Sequence, residues 1–324
     1  MWPLDFINTI THHQPDNKNY FACPLHSFAI IEVKGVEASQ FLQGQLSCDV
    51  SLVTPTQFSL GTHNTAKGRM ISSFRIFSPA KNCYWLLIDK GLSHTALKAL
   101  QKYIVFSKAT IEIREDLLAH ISQGQPFTQT LPSSTLNNIE DQCTLDNMII
   151  GQISNPTLNQ AQTLLIIEKA CQAISRLQGL DSQALVHETA LLQLQFEQGL
   201  AFVSEASTDV FLAQMFNYQH NSAINFKKGC YTGQEIVART HYKGSVKKTL
   251  YKLCSNNQTP LKLGTELCIE KENGHLKAIA TIVANSTSLM EQHLLVVASD
   301  AILAQNTLYT KSAQAINASD IEAC

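Results

Sequence analysis

The chain predicts an α+β fold, and three observations carry that prediction. Strand-like and helix-like patterns alternate through the first half of the chain, which indicates layered strands and helices rather than a bundle. From residue 246 to 324 the pattern is strands alone, with an Asn273-Gly274 hairpin signal, as in a small β-barrel. Apolar residues make up 44% of 324 residues and charged residues 15%, a composition that builds cores over two or three domains.

Phe28–Val33 is rich in β-branched residues and reads as a strand, with a turn at Gly35. Val36, Phe41, Leu42 and Leu46 recur at helical spacing. Strand pieces return over Phe58–Phe77, broken at Asn64-Thr65-Ala66-Lys67-Gly68, and Cys83–Asp89 is a further strand. Ser93–Phe106 is amphipathic, with Leu97, Leu100, Tyr103 and Ile104 on one side. Ala109–Arg114 alternates as a strand does. The Gln-, Ser-, Thr- and Pro-rich stretch 122–138 reads as a connection. Then come a strand at Thr163–Ile167, a helix at Glu168–Leu177 and a second helix near Val186–Gln198. The last region offers strands at Thr249–Leu253, Glu266–Ile269, His275–Ala284 and His293–Ala298, and a turn at Ser255–Pro260.

No apolar run reaches the roughly 18 residues that cross a bilayer, and the first residues have no signal-peptide pattern. Nine scattered cysteines, none spaced C-x-x-C, argue against a disulfide framework and a zinc ribbon, so a cytoplasmic setting is expected. There is no G-x-G-x-x-G, P-loop or G-x-S-x-G. His12-His13 has no third ligand in spacing, so no metal site is expected. The net charge of −2 hides an asymmetry: residues 227–248 carry +5 and the remainder −7. Such a segment suits an anionic ligand, whether a phosphate backbone, a polyglutamate tail or a carboxylated cofactor; a solvated lysine face is the plainer reading.

The densest signal is Phe226-Lys227-Lys228-Gly229-Cys230-Tyr231-Thr232-Gly233-Gln234-Glu235-Ile236-Val237-Ala238-Arg239. Thr232 and Glu235 have capping-box spacing, so a helix is expected to start here. Gly229 and Gly233 permit close approach of a ligand. Cys230 precedes the helix and lies within sequence reach of Lys227 and Lys228; both features favour a thiolate. A small buried cysteine is the commoner role, and it is the reading for the other eight. Glu197, beside Gly199 at a helix end, either binds a ring nitrogen or caps a turn.

At Lys228-Gly229-Cys230-Tyr231-Thr232-Gly233-Gln234-Glu235 the chain resembles the YgfZ family, folate-binding proteins related to the aminomethyltransferase (T-protein) of the glycine cleavage system. Phe41–Leu46, Ala66-Lys67-Gly68-Arg69-Met70, Lys102–Lys108 and Glu197-Gln198-Gly199 are similar to family segments in the same order. The resemblance implies a three-domain ring: two interleaved α+β lobes over 1–245 and a C-terminal β-barrel over 246–324. Tetrahydrofolate, or a one-carbon derivative of it, would sit in the central hole. The implied role is support of iron–sulfur enzymes, including those that methylthiolate tRNA. Cys230 maps to the family's essential cysteine, with Lys228 beside it. Glu197 maps to the folate-side carboxylate, and Phe28 and Leu191 stand where relatives place tryptophans beside the folate. Tyr231 and Arg239 complete the expected folate-side set.

T-proteins carry a catalytic Asp after the glycine turn. Here the stretch is Ile71-Ser72-Ser73-Phe74, and no Asp or Glu occurs between Asp49 and Asp89. Glycine-cleavage chemistry is therefore not expected. A folate-dependent aminomethyl- or methyltransferase would need a carboxylate from elsewhere, such as Glu197 or Asp209. The expected partners are folate and iron–sulfur tRNA-modifying enzymes, with tRNA met only weakly or through them. No membrane association is expected, and a monomer is the default.

Overall fold

A computed structural model describes residues 21–123, 142–145, 148–155, 160–168, 188–256, 260–287, 291–300, 302 and 307–324. His12-His13 and most of 122–138 lie outside the described residues, as does the helix expected at Glu168–Leu177 apart from Glu168, which ends a strand instead.

The first lobe begins after β1 (Phe21–Pro24) with β2 (Phe28–Lys34) and helix α1 (Ala38–Gln45). It continues through β3 (Ser59–Asn64), β4 (Met70–Ala80), β5 (Cys83–Asp89), helix α2 (Ser93–Ile104) and β6 (Thr110–Ile113). Its sheet runs β3-β4-β5-β2-β6, antiparallel throughout. The second lobe adds β7 (Leu117–Gln123), β8 (Gln142–Leu145), β9 (Met148–Asn155) and β10 (Gln160–Glu168). Its sheet runs β1-β7-β10-β9-β8. The first described strand therefore belongs to the second lobe's sheet. Residues 25–27 carry the chain out of it, and residues 114–116 carry it back.

Alternation along β5 shows why its run of apolar residues is unbroken. Tyr84, Leu86 and Ile88 face a core shared with Leu42 and Leu46 near α1 and with Ala96, Leu100 and Ile104 on α2. Cys83, Trp85 and Leu87 face a second core shared with Ile121, Ile149, Leu164 and Ile166 of the other sheet. A strand buried on both faces loses the polar alternation of a half-exposed one. Phe28 packs against both cores. The charged residue inside β2, Glu32, is buried but satisfied: Trp85 Nε1 donates to its Oε2 at 2.7 Å and Arg114 Nη1 at 2.6 Å. Tyr103, read as part of the buried face of α2, is instead exposed with Val105 and Phe106.

Helix α3 (Thr189–Gln198) and helix α4 (Gln234–Lys243) follow. The barrel consists of β11 (Thr249–Ser255), β12 (Glu266–Glu270), β13 (Leu276–Thr287), β14 (Gln292–Ala298), β15 (Thr307–Thr310) and β16 (Ala315–Ala323). It closes in the order β11-β14-β13-β12-β15-β16. The last two strands escape the sequence reading because their apolar positions are few and short. The β12–β13 turn forms at Asn273-Gly274, where Gly274 donates its N–H to Lys271 O at 2.8 Å. Leu253, Leu267, Ile282, Leu294 and Val296 fill the barrel. Leu250, Val283, Leu295 and Val297 face outward into the first lobe's core. Each such buried side chain contributes roughly 1.5–3 kcal/mol, and together they fasten the barrel to the lobe. Among the described residues, no helix is long and apolar enough to cross a membrane.

Candidate functional site

The segment 225–235 is held by the end of α1 and the loop after it. Asn225 starts the turn: its Oδ1 accepts the N–H of Lys227 at 2.8 Å and of Lys228 at 3.0 Å. Its own N–H donates to Ser47 O at 2.9 Å. Lys228 then reaches back across the chain. Its ammonium donates to the carbonyls of Gln43, Leu46 and Cys48 at 2.8, 2.8 and 2.7 Å. Gln43 lies in the last turn of α1, Leu46 is its C-cap and Cys48 belongs to the loop beyond, so the ammonium ties the helix end, where a cation also suits the helix dipole, to that loop. An ammonium has three donors, and all three are used here. Lys228 is thus a clasp on α1, with nothing left to donate to the Cys230 thiol. Its ammonium also lies 5.2 Å from the centre of the Tyr231 ring.

The expected capping box does not form. Thr232 donates its hydroxyl to Gln45 Oε1 at 3.3 Å and its N–H to Gly44 O at 3.1 Å, so its side chain is tied to α1. Gly233 is the N-cap, with φ +83°. A Cβ there would lie 2.4 Å from Thr65 O and 3.0 Å from Gly68 Cα, so glycine is required by both angle and space. The 64–69 turn and the 228–235 turn are therefore pressed together backbone to backbone. Gly229 shows no such need: nothing lies within 4 Å of a Cβ built there.

Cys230 is exposed on this braced turn. Cys48, whose carbonyl Lys228 holds, is fully buried, and desolvation pushes its thiol up to about 12, against the pull of Lys228. The two cysteines are chemically opposite: one open to reagents, the other inert. Tyr231 is buried, and its Oη has no hydrogen-bond partner among the described residues. His63 Nδ1 and Asn64 Nδ2, on the strand that enters the 64–69 turn, are buried and equally unpartnered. Burial pushes the His63 imidazole down to about 4, so it is neutral. Arg239 is exposed on α4, whose last turn carries His241 and Lys243. Phe226 stacks on His241 at 3.8 Å between ring centres.

Asp209 reaches the glycine turn by the fold. Its N–H donates to Met70 O at 2.8 Å, and Arg69 Nη1 donates to its carbonyl at 3.1 Å. Thr65 Oγ1 donates to its Oδ1 at 3.5 Å. The carboxylate missing from 50–88 in sequence is thus present at the turn in space. Its positive φ of 55° is the local oddity that a chain reading cannot see.

Glu197 sits at the end of α3, where Lys252 donates to its carbonyl at 3.0 Å and Gln193 Nε2 to its Oε1 at 3.4 Å. Leu191 lies on the same helix; its side chain is outside the described residues. The chain leaving α3 brings Phe202 edge-on to Phe28, with ring centres 5.8 Å apart, and Arg75 Cζ lies 5.2 Å from the Phe202 ring. Phe28 also lines a cavity of 450 Å³ with His26, His94, Arg114 and Glu115. The structure therefore links Phe28 to the segment after Glu197, and gathers Lys228, Cys230 and Tyr231 on one turn. Asn225 has no place in the sequence reading and Asp209 only a remote one; the available turn signal was an Asn two residues before Lys227-Lys228.

No protein-family model matches the chain. It is 31% identical over 282 residues to "tRNA-modifying protein YgfZ" of Hamiltonella defensa, covering 84% of this chain and 82% of that one. It is 31% identical over 250 residues to the protein of the same name from Colwellia psychrerythraea, covering 77% and 76%. The chain belongs to the YgfZ family. Among solved structures, the glycine cleavage system aminomethyltransferase T from Bartonella henselae superposes with a TM-score of 0.71 at 15% identity. That match covers 98% of this chain and 87% of the other, so this YgfZ-family chain has the aminomethyltransferase fold.

Proposed function

We propose that this protein is a folate-binding accessory protein that supports iron–sulfur enzymes, tRNA methylthiolation among their reactions, through the Cys230 thiolate. The observation that carries the reading is the exposed Cys230 on a turn braced by Lys228, Thr232 and Gly233. A reactive group held on rigid supports is pre-organised for attack or transfer. The names of the relatives supply the tRNA connection.

The residues present suit a pterin. Glu197 has carboxylate oxygens to accept ring N–H groups, and Phe28 offers an aromatic surface worth about 0.5–1.5 kcal/mol beyond burial. The unpartnered Tyr231 Oη, His63 Nδ1 and Asn64 Nδ2 are the kind of buried polar atoms that a polar ligand satisfies. Leu191 and Arg239 complete the proposed folate side, Arg239 meeting its carboxylates. Tetrahydrofolate, when bound, supplies carriage of a one-carbon unit. Cys230 takes up a one-carbon or sulfur species, or handles a labile cluster.

The test is tRNA methylthiolation, read by mass spectrometry, in a bacterium lacking its own family member. The wild-type gene restores the methylthio nucleoside; Cys230→Ala, equally expressed and folded, does not. Restoration by the mutant overturns the reading. A second reading, a tetrahydrofolate-dependent aminomethyl- or methyltransferase, draws on Asp209 at the glycine turn. Turnover of an aminomethyl or methyl donor by purified protein, lost in Asp209→Asn, supports it; no turnover with several donors removes it.

A further inference from the structure

On the outer face of the barrel, three neighbouring strands present one row of side chains. Cys254 on β11 pairs in register with His293 on β14 and with Asp320 on β16, so all three point to the same side. Their neighbours Leu253 and Leu294 point into the barrel. Glu291, just before β14, joins the row. The Cys254 sulfur, one His293 ring nitrogen and a Glu291 carboxylate oxygen lie within 4.8 Å of one another, and all three residues are half-buried.

The second layer fixes the imidazole. His293 Nδ1 lies 2.5 Å from Gln193 Oε1, and the ring stacks on Phe196 with centres 4.7 Å apart. Gln193 Oε1 accepts, so Nδ1 carries the proton and Nε2 turns its lone pair inward. There Nε2 faces Glu291 Oε2 at 3.3 Å. Metal-binding histidines commonly have this arrangement: one nitrogen held by an outer hydrogen bond, the other free to ligate.

We propose that Cys254, His293 and Glu291 bind a divalent transition metal of the zinc class at the junction of the barrel and α3. Mixed S, N and O donors suit borderline-soft Zn²⁺, and three protein ligands leave a fourth position for water or for Asp320. Ligand atoms in a tetrahedral zinc site stand about 3.3–3.8 Å apart, so the observed set closes by about 1 Å of side-chain adjustment. Metal binding displaces the Cys254 thiol proton to solvent, so loading of the site is expected to strengthen as pH rises. Gln193, which orients His293, donates its other end to Glu197, so the site touches the proposed folate carboxylate through one side chain.

Full-length, metal-stripped protein is titrated with Co²⁺ and then with Zn²⁺. The expected result is one Co²⁺ per chain with a thiolate-to-cobalt charge-transfer band, displaced by Zn²⁺. Cys254→Ser abolishes the band, whereas Cys230→Ala, which removes an exposed thiol outside the row, leaves it intact. Glu291→Gln keeps the fold, checked by circular dichroism, and weakens Co²⁺ binding at least tenfold. Gln193→Leu weakens it about 10–100-fold. A band that survives Cys254→Ser, or no band in the wild type, overturns the proposal.

Discussion

Lys228→Met separates two roles for the lysine of the signature turn. If it is a clasp, its loss strands three carbonyls, those of Gln43 and Leu46 at the end of α1 and of Cys48 in the loop beyond, in a half-buried position. A hydrogen bond from a charged donor is worth about 1.5–3 kcal/mol net, and each stranded buried acceptor costs about 1–3 kcal/mol. Water reaches part of this site and recovers some of the loss. The expected destabilisation is therefore about 3 kcal/mol, a large share of the roughly 5–15 kcal/mol that holds a domain. Urea unfolding followed by circular dichroism reads it directly. In parallel, the rate of Cys230 alkylation at neutral pH reports the thiolate. The clasp reading expects lower stability with an alkylation rate changed by less than about threefold. Unchanged stability with a rate reduced about tenfold would refute it and return Lys228 to the role of thiolate partner.

Gly233→Ala forces a Cβ into the left-handed region and against Thr65 O, so a loss of about 2–5 kcal/mol is expected, with a lower urea midpoint; an unchanged midpoint removes the close-packing argument. His63 is held near pKa 4 in the fold, below its ordinary 6.5. The unfolded chain binds its proton first as pH falls, so stability is complete above pH 6.5 and declines by about 3 kcal/mol towards pH 4. Buried His120, lowered to about 3, adds a loss of the same sign. Urea midpoints at several pH values should therefore show a shallower slope in His63→Gln than in the wild type; equal slopes count against the assignment. Asp209→Asn should leave thermal stability within about 1 kcal/mol, its Oδ1 contact being exposed and long, while testing the transferase reading.

The strands and helices of the first lobe were legible because periodicity reports burial. β5 was read to the residue, and α1 and α2 to within a few residues at their ends. What stayed hidden was long-range. Nothing local says that β1 pairs with β7, a hundred residues away, rather than with β2. Thr232 and Glu235 had capping-box spacing, but Thr232 had a better partner in Gln45, 187 residues distant. The site was legible as a motif and illegible as a set of roles. Cys230 stands open as a reactive cysteine should, whereas Lys228 turned out to be committed to α1. The Cys254–His293–Asp320 row was invisible because its members belong to three strands, adjacent only once the barrel closes.

The two crossings between the sheets have a mechanical consequence. Residues 25–27 and 114–116 are three-residue straps, and they run side by side because β1 pairs with β7 and β2 with β6. Three extended residues span about 10 Å at most, so the sheets cannot draw apart along this line. Away from the straps the two sheets meet through one apolar core, so parting them there would expose Trp85, Leu87, Ile149 and Ile166 together. Phe28, which packs into both cores, stands beside the straps and lines the 450 Å³ cavity there. The two sheets are thus tethered along one edge and sealed across a face, and the chain holds them as one body.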